Sequence, residues 1–487
     1  MKRWCRFTLL ILSMTLVTAR AATPPNIVVI LADDLGWGDL GCYNPDSKIP
    51  TPHLDRLASE GTRFTDAHSP SAVCSPTRYA LLTGRYAWRT RLKSGVLWGY
   101  SPPLIENDRP TLATLLKSRG YTTAAIGKWH LGLGWPTRTP ASFGDASTPT
   151  ADPAVIEWSQ DLNAGPRTVG FDFFFGIPAS LDMPPYVYLR NDRTTATPDG
   201  VIPASQSQRQ GGAGFWRQGP IGPDFGMQDC HPRLVSEAVE FVRKQAIGIP
   251  FFLYLALTSP HDPWVPTAQF QGRSRCGPRG DFVAQVDDAV GQVIHALADR
   301  DLSSKTLFLF TSDNGAHWLP SEVRATGHAA NGPWRGMKSD AFEGGHRVPL
   351  IARWPGHVPA GRVTPALVGL NDFFATFAEI TRTPVPTGAA EDSISFARVL
   401  LGRRAAPRPP LVVHSINGIF AVRQGPWKLI DGPGGGGWTS SPTNAPHQLY
   451  RLDVDPGETR NLWTNEASRA RTLTRELDKI RRAPGGK

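Results

Sequence analysis

Residues 26–32, NIVVILA, form an unbroken apolar run rich in β-branched side chains, and the run stops at Asp33-Asp34. Such a run predicts a strand covered on both faces, as in a parallel sheet. Residues 251–257 and 306–310 repeat the pattern, leading into Ser259-Pro260-His261 and Ser312-Asp313-Asn314. Residues 121–126 predict a further strand, followed by Gly127-Lys128-Trp129-His130. Between these runs the apolar spacing becomes helical. Residues 53–60 carry Leu54 and Leu57 on one side, with Pro52 where a first turn tolerates it. Helices are also predicted over 111–119, 234–244 and 281–298, and residues 77–82 begin another.

Strands alternating with helices predict an α/β fold. Its sheet is large, mixed but mostly parallel, and sandwiched by helices, with ligands gathered at the carboxyl ends of the strands. Residues 35–44 are too glycine-rich for a long helix. Residues 134–161 and 193–229 read as irregular insertions above the sheet. After Asp372 the composition shifts. Residues 411–413, 418–423 and 427–430 predict short strands and 467–480 a last helix, making a small C-terminal antiparallel α+β unit. The glycine run 434–437 reads as a flexible loop. The expected division is a leader at 1–21, a catalytic unit at 22–380, a boundary at 381–410 and the small unit at 411–487.

Composition narrows the class. Hydrophobic residues at 40% and charged residues at 19% exclude a disordered chain. Lys2, Arg3, Arg6 and Arg20 contribute four of the +10 formal charges, and no basic run is long enough to make nucleic acid the partner. Lys2-Arg3, an apolar stretch over 7–17 and Ala19-Arg20-Ala21 predict a secretory leader. The stretch falls short of the ~20 apolar residues of a stable membrane span. The expected location is therefore secreted or periplasmic. Cys42, Cys74, Cys230 and Cys276 remain beyond the leader. If Cys74 is used chemically, at most one disulfide can form, so bridges do not hold the fold.

Asp33 and Asp34 follow one strand; Asp313 and Asn314 follow another. Three carboxylates and an amide meeting at one sheet edge require a cation between them, and all-oxygen ligands suit Ca²⁺ or Mg²⁺ rather than structural zinc. Two capping or turn clusters would give the same residues without a metal. Lys128, His130, His261 and Lys338 also lie past strand ends or in turn-rich loops. Together they would surround a tetrahedral anion, as sulfuryl or phosphoryl transfer requires.

The run CSPTRYALLTGRY beginning at Cys74 resembles the signature of the type I, formylglycine-dependent sulfatases of the alkaline-phosphatase superfamily, with Cys74, Pro76 and Arg78 matching. Thr77 replaces the more usual serine. NIVVILADDLGWGDLG, GKWHLG, TSPHDPW, TSDNG and GPWRGMKSDAFEGG extend the likeness across residues 26–354, and the C-terminal part is similar to the family's small domain. The resemblance implies an alkaline-phosphatase-like fold. It implies Ca²⁺, with Mg²⁺ the lesser choice, held by Asp33, Asp34, Asp313 and Asn314. It also implies that a formylglycine-generating enzyme converts Cys74 to Cα-formylglycine, whose hydrate touches the metal. Arg78 and Lys128 then hold the hydrate, and His130 assists sulfate release from a covalent sulfate ester. His261 and Lys338 contact sulfate, with His261 the preferred leaving-group acid. His346 and Arg347 receive no role.

Residues 176–186 resemble a pocket-edge loop of carbohydrate sulfatases grouped with arylsulfatase A and the galactosamine-6-sulfatases. The implied substrate is a sulfated glycan, such as a 6-sulfated galactose or N-acetylgalactosamine, with small organic sulfates also accepted. Three rivals stand beside this reading: a phosphate or phosphonate monoester hydrolase of the same superfamily, a non-catalytic sulfated-glycan-binding protein, and an exported structural protein with a solvated Asp33-Asp34 pair.

Overall fold

The computed structural model describes residues 24–146, 148–206, 214–441 and 445–483, so the expected leader lies outside the described residues. Seven strands build the main sheet: β1 (Asn26–Ala32), β2 (Thr62–His68), β3 (Thr122–Lys128), β4 (Phe173–Ile177), β5 (Phe251–Ala256), β6 (Thr306–Ser312) and β7 (Arg347–Arg353). They lie in the order β2-β7-β6-β1-β5-β3-β4. Strands β6, β1, β5, β3 and β4 are parallel, and β7 runs antiparallel to both β6 and β2. Arg362–Thr364 and Val368–Gly369 widen the β2 edge, and the hairpin Leu189–Arg190/Arg193–Thr194 widens the β4 edge. The sheet is therefore mixed and mostly parallel.

Every residue of β1, β5 and β6 is buried, which is why these runs lack a polar alternation. One face packs Ile27, Val29 and Leu31 against α2 (Cys74–Thr83), α3 (Leu112–Lys117) and the helix Phe373–Thr381. The other packs Val28 and Ile30 against α1 (Pro52–Ser59), α4 (Met227–Arg243) and α5 (Gly277–Ala298). Truncating Ile30 to alanine would cost about 2–5 kcal/mol at so closely packed a position.

Two irregular expectations need correction. The stretch 193–229 contains the strands Arg193–Thr194, Gly200–Ile202 and Gly219–Ile221. Helix α4 begins at Met227 and absorbs Pro232, so it starts well before residue 234.

A second sheet, β8 (Leu411–His414), β9 (Phe420–Gln424), β10 (Trp427–Asp431) and β11 (Gln448–Arg451), is an antiparallel meander covered by the helix Ala467–Arg482. Val412, Val422, Leu429 and Leu449 pack with Leu473 and Leu477, and Tyr86 and Trp88 join them from beyond α2. The glycine run 434–437 is not loose. Ala341 N–H donates to Gly435 O at 2.7 Å, and a Cβ on Gly437 would stand 2.5 Å from the Ser339 carbonyl. Close backbone approach, rather than flexibility, accounts for glycine there. No helix among the described residues is long and apolar enough to cross a membrane.

Candidate active site

Because β1, β3, β5 and β6 are parallel, their carboxyl ends share one sheet edge. Asp33-Asp34, Lys128, His261 and Asp313-Asn314 arrive there together. Strand β2 is antiparallel to β7, which is antiparallel to β6, so β2 also ends at that edge and delivers Cys74. The reversed β7 starts there, which brings in Lys338 from the preceding loop.

Cys74 opens α2, and Arg78 follows one turn later on the same side. Pro76 sits in the first turn, where its missing N–H breaks no helical hydrogen bond. This spacing presents a sulfur and a guanidinium to one point. Burial pushes the Cys74 thiol up to about 12, so the unmodified side chain would remain a thiol at neutral pH.

The charges are paired. Lys128 Nζ donates to Asp33 Oδ2 at 2.7 Å, and Lys338 Nζ donates to Asp34 Oδ2 at 2.8 Å. Arg78 donates from Nε and Nη2 to Asp313 Oδ2 at 3.0 and 2.7 Å, and from Nη1 to the Lys128 carbonyl at 3.0 Å. Asn314 Nδ2 donates to Asp34 Oδ1 at 2.7 Å, and Asp34 N–H donates to Asp313 Oδ1 at 3.2 Å. Three buried carboxylates thus face three buried cations. Burial opposes ionisation of Asp34, but Lys338 and His261 hold its carboxyl well below the usual range. Burial and the Asp33 charge push Asp313 up to about 6. Burial also opposes the charge on Lys338, yet Asp34 keeps it firmly protonated.

The histidines differ. His130 Nε2 lies 2.7 Å from the Leu97 carbonyl, which can only accept. The proton is therefore on Nε2, and Nδ1 is left buried without a hydrogen-bond partner. Burial, with Lys128 and Arg78 nearby, pulls His130 well below its ordinary value and keeps the ring neutral. His261 Nδ1 lies 2.6 Å from the Asp262 carbonyl, and its Nε2 lies 3.7 Å from Asp34 Oδ2. Asp34 (φ 65°) and His130 (φ 55°) hold left-handed backbones that non-glycine residues rarely adopt, a strain common at functional sites.

Donor atoms of Asp33, Asp34, Cys74 and His261 lie within 4.8 Å of one another. Asp33 Oδ1 and Asn314 Oδ1 are buried without hydrogen-bond partners. Unsatisfied hard oxygens beside crowded carboxylates fit a divalent cation. A family model described as Sulfatase matches residues 25–383.

The chain belongs to the sulfatase family.

This sulfatase is similar to an N-acetylgalactosamine-6-O-sulfatase of Bacteroides thetaiotaomicron, 33% identical over 94% of this chain and 93% of the relative. It is also similar to human arylsulfatase A, at 35% identity over 94% of this chain and 86% of the relative. A solved structure described under the metabolism of multiple glycosaminoglycans by Bacteroides thetaiotaomicron superposes with a TM-score of 0.80. It shares 30% identity, over 94% of this chain and 99% of that chain. The sulfatase is a sulfuric ester hydrolase, and its large mixed sheet with a small C-terminal antiparallel sheet is the fold of its relatives.

All the site residues singled out by sequence meet at this edge: Asp33, Asp34, Cys74, Arg78, Lys128, His130, His261, Asp313, Asn314 and Lys338. Their supports carried no signal. The Leu97 carbonyl fixes His130, and Ser75 Oγ accepts from Leu97 N–H at 3.1 Å, tying the signature helix to that support. Ser180 Oγ lies 3.3 Å from His261 Nδ1. His346 and Arg347 sit elsewhere. His346 Nδ1 lies 2.9 Å from His68 Nδ1, and Arg347 pairs with Asp66 and Glu343 beneath the C-terminal sheet.

Proposed function

We propose that this sulfatase removes sulfate from a sulfated glycan, with a 6-sulfated galactose or N-acetylgalactosamine as the substrate unit. The observation that carries the reading is the position of Cys74, whose sulfur shares a 4.8 Å cluster with Asp33, Asp34 and His261. The relative named for N-acetylgalactosamine-6-O-sulfate chemistry supports the choice of saccharide.

Asp33, Asp34, Asp313 and Asn314 would hold Ca²⁺, which supplies a double positive charge beside position 74. Oxidised to Cα-formylglycine by a formylglycine-generating enzyme and hydrated, position 74 would supply one hydroxyl to attack sulfur and another to drive sulfate release. Arg78, fixed by Asp313, and Lys128, fixed by Asp33, orient that hydroxyl pair. His130 takes a proton at Nδ1, the nitrogen its Leu97 contact leaves free. His261 gives a proton from Nε2 to the departing alcohol, since Nδ1 is occupied by the Asp262 carbonyl. Lys338, held by Asp34, offsets charge on the sulfate oxygens. The pattern of residues 1–21 supports export, and residues 22–380 would form the catalytic unit against which 411–487 docks.

The test measures sulfate release from N-acetylgalactosamine 6-sulfate, its 4-sulfate isomer and the matching 6-phosphate. The 6-sulfate should have the highest kcat/KM. A preference for the phosphate ester would reject the reading.

A further inference from the structure

Among the described residues, Phe215 and Trp438 are the only exposed members of the Phe, Tyr and Trp set, at 41% and 47%. A single exposed apolar side chain is ordinary, but these two rings flank the same site. Trp438 comes from the C-terminal part of the chain. Its N–H donates to Ser339 Oγ at 2.8 Å, next to Lys338, and its ring lies 4.6 Å from that of His317, three residues beyond Asn314. Ser339 N–H in turn donates to the carbonyl of Ala72, two residues before Cys74. The glycine run makes this placement possible: Gly436 is left-handed at φ 63°, and Gly437 lies against the Ser339 backbone. A side chain there would push Trp438 off the loop that carries Lys338.

Phe215 stands on the histidine side. Gly214 packs against Pro263 and Trp264, just past His261. The Arg217 guanidinium lies 4.8 Å from the Phe215 ring and 4.6 Å from the Trp98 ring, and Trp98 follows the residue that fixes His130. Asp182, two residues from the Ser180 that meets His261, accepts from Arg217 Nη1 at 2.6 Å. Asp182 is itself buried, so the guanidinium is clamped from one edge while its stacked faces stay ordered.

We propose that Trp438 on one side, and Phe215 with Arg217 on the other, form the subsite that grips the saccharide ring bearing the sulfate. This rests on the glycan reading above. An aromatic face against the apolar face of a sugar, beside a clamped arginine that donates to ring hydroxyls, recognises a pyranose rather than a linear alcohol.

The test is steady-state kinetics on N-acetylgalactosamine 6-sulfate, with inorganic sulfate as a competitive inhibitor that reports on the sulfate end alone. Trp438→Ala should raise KM about tenfold, the ratio for ~1.4 kcal/mol of lost ring contact. The sulfate Ki should stay within about twofold, and Trp438→Phe should restore most of the affinity. Phe215→Ala should shift KM in the same direction, which keeps the test open if one variant folds poorly. An unchanged saccharide KM in both alanine variants overturns the subsite. So does a KM and a sulfate Ki that rise by one common factor. A wild-type enzyme that cleaves a small aryl sulfate but no sulfated saccharide overturns the glycan reading, and the subsite with it.

Discussion

Arg78 directs both Nε and Nη2 to a single oxygen of Asp313, at 3.0 and 2.7 Å, so the helix that presents Cys74 also anchors a carboxylate of the proposed cation site. Both side chains are fully buried. Asp313→Ala should therefore abolish divalent-ion binding and turnover together. It should also lower stability by about 3 kcal/mol, because buried Arg78 loses its hydrogen-bonded carboxylate and keeps only Asp33, whose Oδ1 lies 3.6 Å away, and the Lys128 carbonyl. Metal content by elemental analysis and thermal unfolding check the two parts. Full calcium affinity in this variant would remove Asp313 from the ligand set.

Lys128 and Asp33 form a second buried pair at 2.7 Å. Lys128→Met keeps the volume of the side chain but not its charge. Turnover should drop by about 100-fold or more, as for loss of a preorganised charge at a reacting anion. A kcat within threefold of wild type would confine Lys128 to a structural role.

The site was more legible in the sequence than its scaffold. Asp33-Asp34, Lys128 and Asp313-Asn314 directly end or follow apolar runs, so strand and chemistry announce each other. Strand β2, TRFTDAH, did not stand out, since five of its seven positions are polar and three of those, Arg63, Thr65 and Asp66, are only partly buried. Strand β7, RVPLIAR, is interrupted by Pro349, and its pairing with β2 shifts register between Val348 and Leu350. Pro232 hid the opening turns of α4. Gly434 to Gly437 read as flexible because composition cannot show what a backbone touches. The backbone carbonyl of Leu97 has no sequence signal at all.

The glycine cradle is testable by itself. Gly437→Ala would place a Cβ 2.4 Å from Asp340 Oδ1 and 2.5 Å from the Ser339 carbonyl. Overpacking of this kind should cost about 1–3 kcal/mol. It should also raise the saccharide KM through displacement of Trp438. Thermal unfolding together with KM measures both, and a variant indistinguishable from wild type in both would contradict the tight approach.

Acid should destabilise the fold through buried histidines. Burial holds His68, His231 and His414 at about 4, against 6.5 in the unfolded chain. Between those values the unfolded state binds more protons, so stability present above pH 6.5 is lost as pH falls toward 4. Each histidine contributes up to about 1.4 kcal/mol per pH unit. Four carboxyls act in the opposite sense, because burial pushes Asp287 and Glu458 up to about 7, Asp313 up to about 6, and raises Asp340, but burial also holds His130 and His346 well below their ordinary value, which makes five histidines against four carboxyls. The Tm should rise from pH 4.5 to 6.5, and His414→Gln should flatten that slope. A Tm that falls over this range would refute the balance.

The central claim is that position 74 works as Cα-formylglycine rather than as a thiol. Peptide mass analysis of the 74-containing fragment, on preparations of differing specific activity, tests it most directly. Activity should scale with the fraction of chains carrying formylglycine or its hydrate at position 74, and vanish where that fraction is zero. Full sulfate release from protein whose Cys74 is an intact thiol would contradict the account.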